Sequence, residues 1–172
     1  TVGGRFRYTM ELDSGEILAA SNMGLNYIRG DEVIKTMDDT DGLPSAQILT
    51  MVEESDGTVL IGSDGDGIYA VKDKKVVRRI GEAEGLKTLV VLRIVPCSEG
   101  YIYVTSNSLY YDDKNTITRL NAFPYSNNYD VYLDEAGQAW ISSSAGIYIV
   151  DVDDLIGNGE YHYTLLDYSR GF

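Results

Sequence analysis

A pattern that returns four times along the chain constrains its fold more than any other feature. A glycine opens an apolar stretch in Gly15-Glu16-Ile17-Leu18-Ala19-Ala20-Ser21 and again in Gly57-Thr58-Val59-Leu60-Ile61-Gly62-Ser63. The third and fourth copies are Gly100-Tyr101-Ile102-Tyr103-Val104-Thr105-Ser106 and Gly137-Gln138-Ala139-Trp140-Ile141-Ser142-Ser143. The glycines are 42, 43 and 37 residues apart. Leu18, Leu60, Tyr103 and Trp140 each stand three residues after the glycine, and a serine follows three residues later. A second landmark keeps step with the first: Gly24-Leu25, Gly67-Ile68-Tyr69, Ser108-Leu109-Tyr110 and Gly146-Ile147-Tyr148. A unit that recurs at such a period cannot bury its own apolar surface alone and must stack against its neighbours.

Between the landmarks the chain reads as strands. An apolar run precedes each first glycine, at residues 6–12, 48–52, 91–95 and 129–133, and a return run closes each copy, at residues 33–37, 76–80, 117–120 and 161–166. Turn residues separate them, as in Asp13-Ser14-Gly15, Ser55-Asp56-Gly57 and Asp73-Lys74-Lys75. Four short strands in about 40 residues are the content of a propeller blade. The sequence therefore predicts an all-β chain, a β-propeller segment of four blades, each a four-stranded antiparallel sheet, over residues 5–42, 46–86, 89–124 and 128–170. Leu86, Leu89, Val90 and Ile94 have helical spacing, but the β-branched valines and the repeat register favour a strand. Residues 153–157 are expected to form one helical turn. Large residues such as Tyr103 and Trp140 are expected to fill the space between blades.

The net charge is −13. A surface this acidic repels phosphate backbones and anionic lipid heads, so nucleic acid and direct membrane insertion are not expected. No apolar stretch approaches the roughly 18 residues of a membrane span. The chain opens Thr1-Val2-Gly3-Gly4 without an initiator methionine or signal-peptide pattern, and so reads as a segment of a longer protein. The single cysteine, Cys97, is expected to be a small buried apolar residue.

The second copy carries a family resemblance. Gly42-Leu43-Pro44-Ser45, then Ile48 to Val52, then Asp56-Gly57-Thr58-Val59-Leu60-Ile61-Gly62-Ser63 and Gly67-Ile68-Tyr69 resemble the two-component regulator propeller repeat. Trp140-Ile141-Ser142-Ser143 supplies the tryptophan form of its central strand, and Gly85-Leu86 and Gly171-Phe172 repeat the inter-blade element. The third copy departs most, with Glu99, Tyr103 and Ser108 in place of Asp, Trp and Gly. The resemblance implies an extracytoplasmic sensor, periplasmic or at the cell surface, within a membrane-anchored bacterial receptor. Its outputs would be histidine kinases, DNA-binding regulators or cyclic-dinucleotide synthases, and its ligands include oligosaccharides. The resemblance also implies rings of more than four blades, so four blades are expected to close on themselves or to leave two exposed end blades. The expected partners are a small-molecule ligand, further blades, or a second copy of the segment closing a ring.

Catalysis has little to draw on. His162 is the only histidine, and one His with one Cys cannot build a His/Cys metal site, so neither a cofactor nor a metal is expected. The acidic clusters Asp64-Gly65-Asp66, Asp38-Asp39-Thr40-Asp41 and Asp151-Val152-Asp153-Asp154 lack the calcium-loop spacing and read as turns. Lys72, Lys74, Lys75, Arg78 and Arg79 read as protection of an exposed edge strand. Fourteen tyrosines are the most unusual feature. Tyr69, Tyr110 and Tyr148 share a repeat column and are explained by packing, whereas Tyr125 and Tyr129 in Phe123-Pro124-Tyr125-Ser126-Asn127-Asn128-Tyr129 do not recur. Aromatic faces beside amides suit sugar rings. By analogy with other propellers, ligand is expected at the loops carrying Asn22, Asp64, Asp66, Asn107 and Ser144, together with Tyr125, Asn127 and Tyr129. Two rival readings remain, a propeller enzyme such as a polysaccharide lyase or hydrolase and a structural, protein-binding propeller.

Overall fold

Four separate sheets account for nearly all of the regular structure. The computed structural model describes residues 4–43, 47–98, 100–124 and 127–171. The first sheet holds β1 (Phe6–Glu11), β2 (Ile17–Ser21), β3 (Gly24–Arg29) and β4 (Glu32–Met37), and the second β5 (Ile48–Glu53), β6 (Val59–Ser63), β7 (Ile68–Lys72) and β8 (Lys75–Ile80). The third holds β9 (Val91–Cys97), β10 (Gly100–Thr105), β11 (Leu109–Asp112) and β12 (Ile117–Arg119), and the fourth β13 (Asn128–Leu133), β14 (Gln138–Ser143), β15 (Gly146–Asp151) and β16 (Tyr163–Leu166). Each sheet runs in chain order and every described pairing is antiparallel. Of the stretch with helical spacing, Ile94 lies in β9, Val90 forms an isolated bridge with Asp64, and Leu86 and Leu89 precede the strand without forming a helix. The anticipated helical turn is α1 (Val152–Gly157), capped by the Asp151 side chain, which accepts from the backbone N–H groups of Asp153 and Asp154.

One turn joins the first two strands in three of the sheets. The N–H of Leu12, Glu54 and Asp134 donates to the carbonyl four residues on, at 2.8, 2.7 and 2.9 Å. Gly15, Gly57 and Gly137 sit in these turns at φ of 79°, 79° and 78°, a region that other L-residues enter only with strain. The acidic turn residues stabilise the geometry. Asp134 accepts from the N–H groups of Ala136 and Gln138 and from Trp140, and its carboxyl is held below the usual range, first by the Gln138 hydrogen bond and next by Trp140.

The third repeat is built differently, which corrects its sequence alignment by one residue. Gly100 is not a turn glycine but lies in β10, where an added Cβ would come within 2.0 Å of the Asp112 carbonyl oxygen. The positive φ falls instead on Ser98, at 49°. The loop closures agree. Ser21, Ser63 and Ser143 donate their hydroxyls to the carbonyls of Gly24, Gly67 and Gly146 at 3.3, 2.8 and 3.0 Å. In the third sheet Thr105, not Ser106, donates to Ser108 at 2.8 Å. The residue matching Leu18, Leu60 and Trp140 is therefore Ile102 rather than Tyr103. A slip of one residue moves a side chain to the other face of its strand. Tyr103 is there fully buried, with its hydroxyl donating to the buried carboxylate of Asp112. Pro44, Ser45, Glu99 and Phe172 lie outside the described residues.

By contact the chain divides into two units, the first two sheets with Leu89–Val91 and the last two with Glu82–Thr88. In the first unit Leu18, Ala20, Leu25, Tyr27 and Met37 of one sheet meet Met51, Val59, Ile61, Tyr69 and Val71 of the next. The turn after β7 is tied back to the first sheet: Lys74 and Arg29 both pair with the buried carboxylate of Glu16. Burial, with that carboxylate alongside, pushes the Tyr27 phenol up to about 12. In the second unit Ile102, Val104 and Leu109 join Val131, Ala139, Ile141, Tyr148 and Val150. Cys97 belongs to this core, and burial raises its thiol pKa. Tyr69, Tyr110 and Tyr148 are all buried, and in the first sheet the same column holds Asn26. That buried amide is satisfied, donating to the Ala19 carbonyl at 3.0 Å and accepting from Thr36 at 2.9 Å. Trp140 departs from its expected interior role and is only half-buried, its indole Nε1 donating to Asp134 at 2.7 Å.

Candidate functional site

A second device recurs at one end of three of the sheets. In the first strand of each, one residue falls out of the ladder. Phe6 pairs with Ser21 and Tyr8 with Ala20, so Arg7 is skipped. Ile48 pairs with Ser63 and Thr50 with Gly62, skipping Leu49, and Asn128 pairs with Ser143 and Asp130 with Ser142, skipping Tyr129. These are β-bulges, which re-aim a side chain at a sheet rim. Beside each bulge the loop before the third strand is tied to the residue that leads into the first. The N–H groups of Asn22, Asp64 and Ser144 donate to the carbonyls of Arg5, Gln47 and Asn127 at 3.2, 2.8 and 3.3 Å. Loop and bulge thus form one rigid corner in each sheet.

In the first unit this corner gathers Asn22 with residues that the sequence reading had passed over. Arg5, Arg7, Asn22 and Gln47 line a cavity of about 220 Å³. Asn22 is oriented by the Arg5 backbone N–H, which donates to its Oδ1 at 2.7 Å. Asp64 shares the rim, tied to Gln47 and bridged to Val90, with its side chain exposed. Asp66 is engaged within its own sheet. Its carboxylate accepts from Tyr69 at 2.9 Å and pairs with Arg79, whose guanidinium also lies over the Tyr69 ring. Burial, and then that carboxylate, raises the Tyr69 phenol. The basic hairpin is likewise engaged with acids, Lys72 on Asp56 at 2.7 Å and Lys74 on Glu16.

In the second unit the corner joins Asn127 and Ser144, with Asn127 in the left-handed region at φ 64°. Tyr129 stands on the bulge and is 56% exposed. Asn107 is held by its neighbours, its Oδ1 accepting from Thr88 at 2.8 Å and from Ser108 at 3.1 Å. Tyr125 lies outside the described residues. The acidic runs are occupied in turns, with Asp38 accepting from Thr40, and Lys35 donating to Asp41. No group of three or more His, Cys, Asp or Glu side chains among the described residues is placed to hold a metal ion. A signal for Arg7 and Tyr129 was available: Arg7, Leu49 and Tyr129 precede Ser21, Ser63 and Ser143 by the same interval.

Compared with protein-family models and with curated protein sequences, the chain matches none. Solved structures do resemble it. The extracellular domain of a hybrid two-component system from B. thetaiotaomicron superposes with a TM-score of 0.78 at 19% identity, over 98% of this chain and 24% of that one. A second such domain from the same organism gives 0.72 at 14% identity, over 95% of this chain and 24% of that one. Virginiamycin B lyase from Staphylococcus aureus gives 0.70 at 14% identity, over 97% of this chain and 57% of that one. The chain spans about a quarter of the length of these two extracellular domains. No helix among the described residues is long and apolar enough to cross a membrane. Four four-stranded antiparallel sheets, one short helix and this structural likeness establish the chain as an all-β propeller fragment.

Proposed function

We propose that this chain is a ligand-sensing propeller segment from the extracytoplasmic part of a membrane-anchored bacterial signalling receptor, and that it binds rather than catalyses. The observation that carries this reading is the repeated bulge. A repeat that served only packing has no need to break the first strand at the same position in three of its sheets, yet there Arg7 and Tyr129 are re-aimed and exposed. The likeness to extracellular domains of two-component systems supports the setting. Oligosaccharide is the ligand class proposed for the Tyr129 corner, because an exposed phenol two residues from the exposed Asn127 matches the apolar face and hydroxyl rim of a sugar ring. For signalling, the ligand must favour one receptor state over another. Glycan-array screening of the segment, followed by titration of the hits against Tyr129→Ala, tests this. Binding that falls about tenfold in the variant supports the reading. No glycan binding at all, or binding indifferent to Tyr129, overturns it.

A lyase reading has one observation in its favour, the likeness to virginiamycin B lyase, of which a histidine-to-alanine form is described as catalytically inactive. Here the single histidine, His162, is exposed just before β16. Glycan cleavage that disappears in His162→Ala would establish the enzyme.

A further inference from the structure

We infer that the cavity between Arg5, Arg7, Asn22 and Gln47 binds a carboxylate-bearing ligand. The inference rests on the sensing reading and adds a charge requirement to it. The charge distribution is the first argument. The chain has 27 acidic and 14 basic residues, so two guanidiniums brought to one cavity, with no ion pair to either among the described residues, stand out against its surface. The ion pairs engage Arg29, Lys35, Lys72, Lys74, Arg79 and Arg93, and none among the described residues involves Arg5 or Arg7. Both guanidiniums border one cavity whose lining, among the described residues, includes no carboxylate.

The hydrogen-bonding inventory is the second argument. A guanidinium has only donors. The Asn22 Oδ1 is occupied by the Arg5 backbone N–H, which leaves the Asn22 Nδ2 donors free of that contact. The Gln47 backbone carbonyl is occupied by the Asp64 N–H, and the Gln47 side-chain amide adds two donors and one acceptor to the ten N–H donors of the two guanidiniums. The cavity therefore presents mainly donors, and its complement is a group of acceptors. An ionised carboxylate is acceptor-only and fits the guanidinium fork with two parallel bonds. The net charge of −13 penalises a dianion such as phosphate more than a monoanion. At about 220 Å³ the cavity is smaller than the roughly 300–1,000 Å³ of a drug-sized pocket. It suits one acid-bearing unit of a larger ligand. Geometry is the third argument: the bulge that skips Arg7 directs it at the rim, whereas an in-register residue would follow the alternation of its strand.

The test is a titration of the isotope-labelled segment, followed through the Asn22 side-chain amide and the Arg7 Nε signal, with glucuronate, glucose, succinate and phosphate as separate probes. Glucuronate is expected to move both signals at millimolar concentration while glucose does not. Arg7→Gln should weaken binding about tenfold, and Arg7→Lys should restore part of it by returning charge without the fork. Asp64→Asn, which removes an acid from the same rim, should tighten it. An unchanged amide spectrum of β6 and β7 checks that each variant is folded. Succinate binding as well as glucuronate leaves the site standing and makes its ligand a plain organic acid. Glucose binding as strongly as glucuronate, phosphate alone binding, indifference to Arg7→Gln, or no signal moving with any probe overturns the inference. If a neutral glycan then binds at Tyr129 without moving Asn22, the sensing reading survives that failure.

Discussion

The first and fourth sheets carry the same columns of side chains and treat them in opposite ways. Leu18 pairs across to Tyr27 and Ala20 to Leu25 in the first sheet, and Trp140 to Ile149 and Ser142 to Ile147 in the fourth. The first set is buried in its unit's core against Met51, Val59 and Ile61. In the fourth, Trp140, Ile147 and Ile149 are half-buried, and Tyr132 beside them is 66% exposed. The other face of that sheet, with Val131, Ala139, Ile141 and Val150, is buried. The repeat thus gives equivalent columns similar apolar side chains, and burial of a column follows from what packs against it. The fourth sheet shows what such a column looks like when solvent reaches it.

Substitutions in matched columns test this contrast most directly. Leu25→Ala should cost about 2–5 kcal/mol, since it empties a closed core. Ile147→Ala should cost about 1 kcal/mol, because solvent already reaches the side chain. Equal costs in denaturant unfolding would mean that the fourth face is covered in solution. The next effect is on association. The isolated segment is expected to self-associate through the open face, as exposed apolar patches do. Ile149→Lys should abolish the concentration dependence seen by sedimentation while lowering stability by less than about 1 kcal/mol. A wild-type segment that stays monomeric at every concentration breaks this expectation. The smallest effect is acid sensitivity, shared by both units. The Asp56 carboxyl is held low first by Lys72 and then by the Thr58 hydrogen bonds, and that of Asp134 by Gln138 and Trp140. Because their pKa values are depressed by folding, they contribute fully above the ordinary aspartate value of about 3.9, and that contribution is lost as pH falls through the lowered values. Thermal melts should be flat from neutral pH to about 5 and fall below it. Asp56→Asn combined with Asp134→Asn should make the acid limb shallower, with Asp38, Asp113 and Asp167, which are also held low, carrying the remainder.

The repeat was legible because turn glycines and apolar strands are local, and each sheet could be assigned from its own residues. The third copy was misaligned by one residue for a physical reason. Gly100 looks like the turn glycines but is required by close approach to the Asp112 carbonyl, and Thr105 performs the serine's closure with the same hydroxyl. The site was less legible. Asn22, Asp64 and Ser144 could be placed on equivalent loops, but the engagement of Asp66 by Tyr69 and Arg79 depends on cross-strand register. Arg5, Arg7 and Gln47 escaped notice because a bulge is a break in alternation, and reading by alternation treats it as noise.

The bulged position has a consequence for how such repeats diversify. A residue outside the ladder owes nothing to either face of its sheet, so its identity can change without repacking a core. Arg7, Leu49 and Tyr129 hold one location with a cation, an aliphatic chain and a phenol. Duplicating the sheet therefore supplies a new rim chemistry at the expense of a single codon, while the architecture that supports it is inherited unchanged.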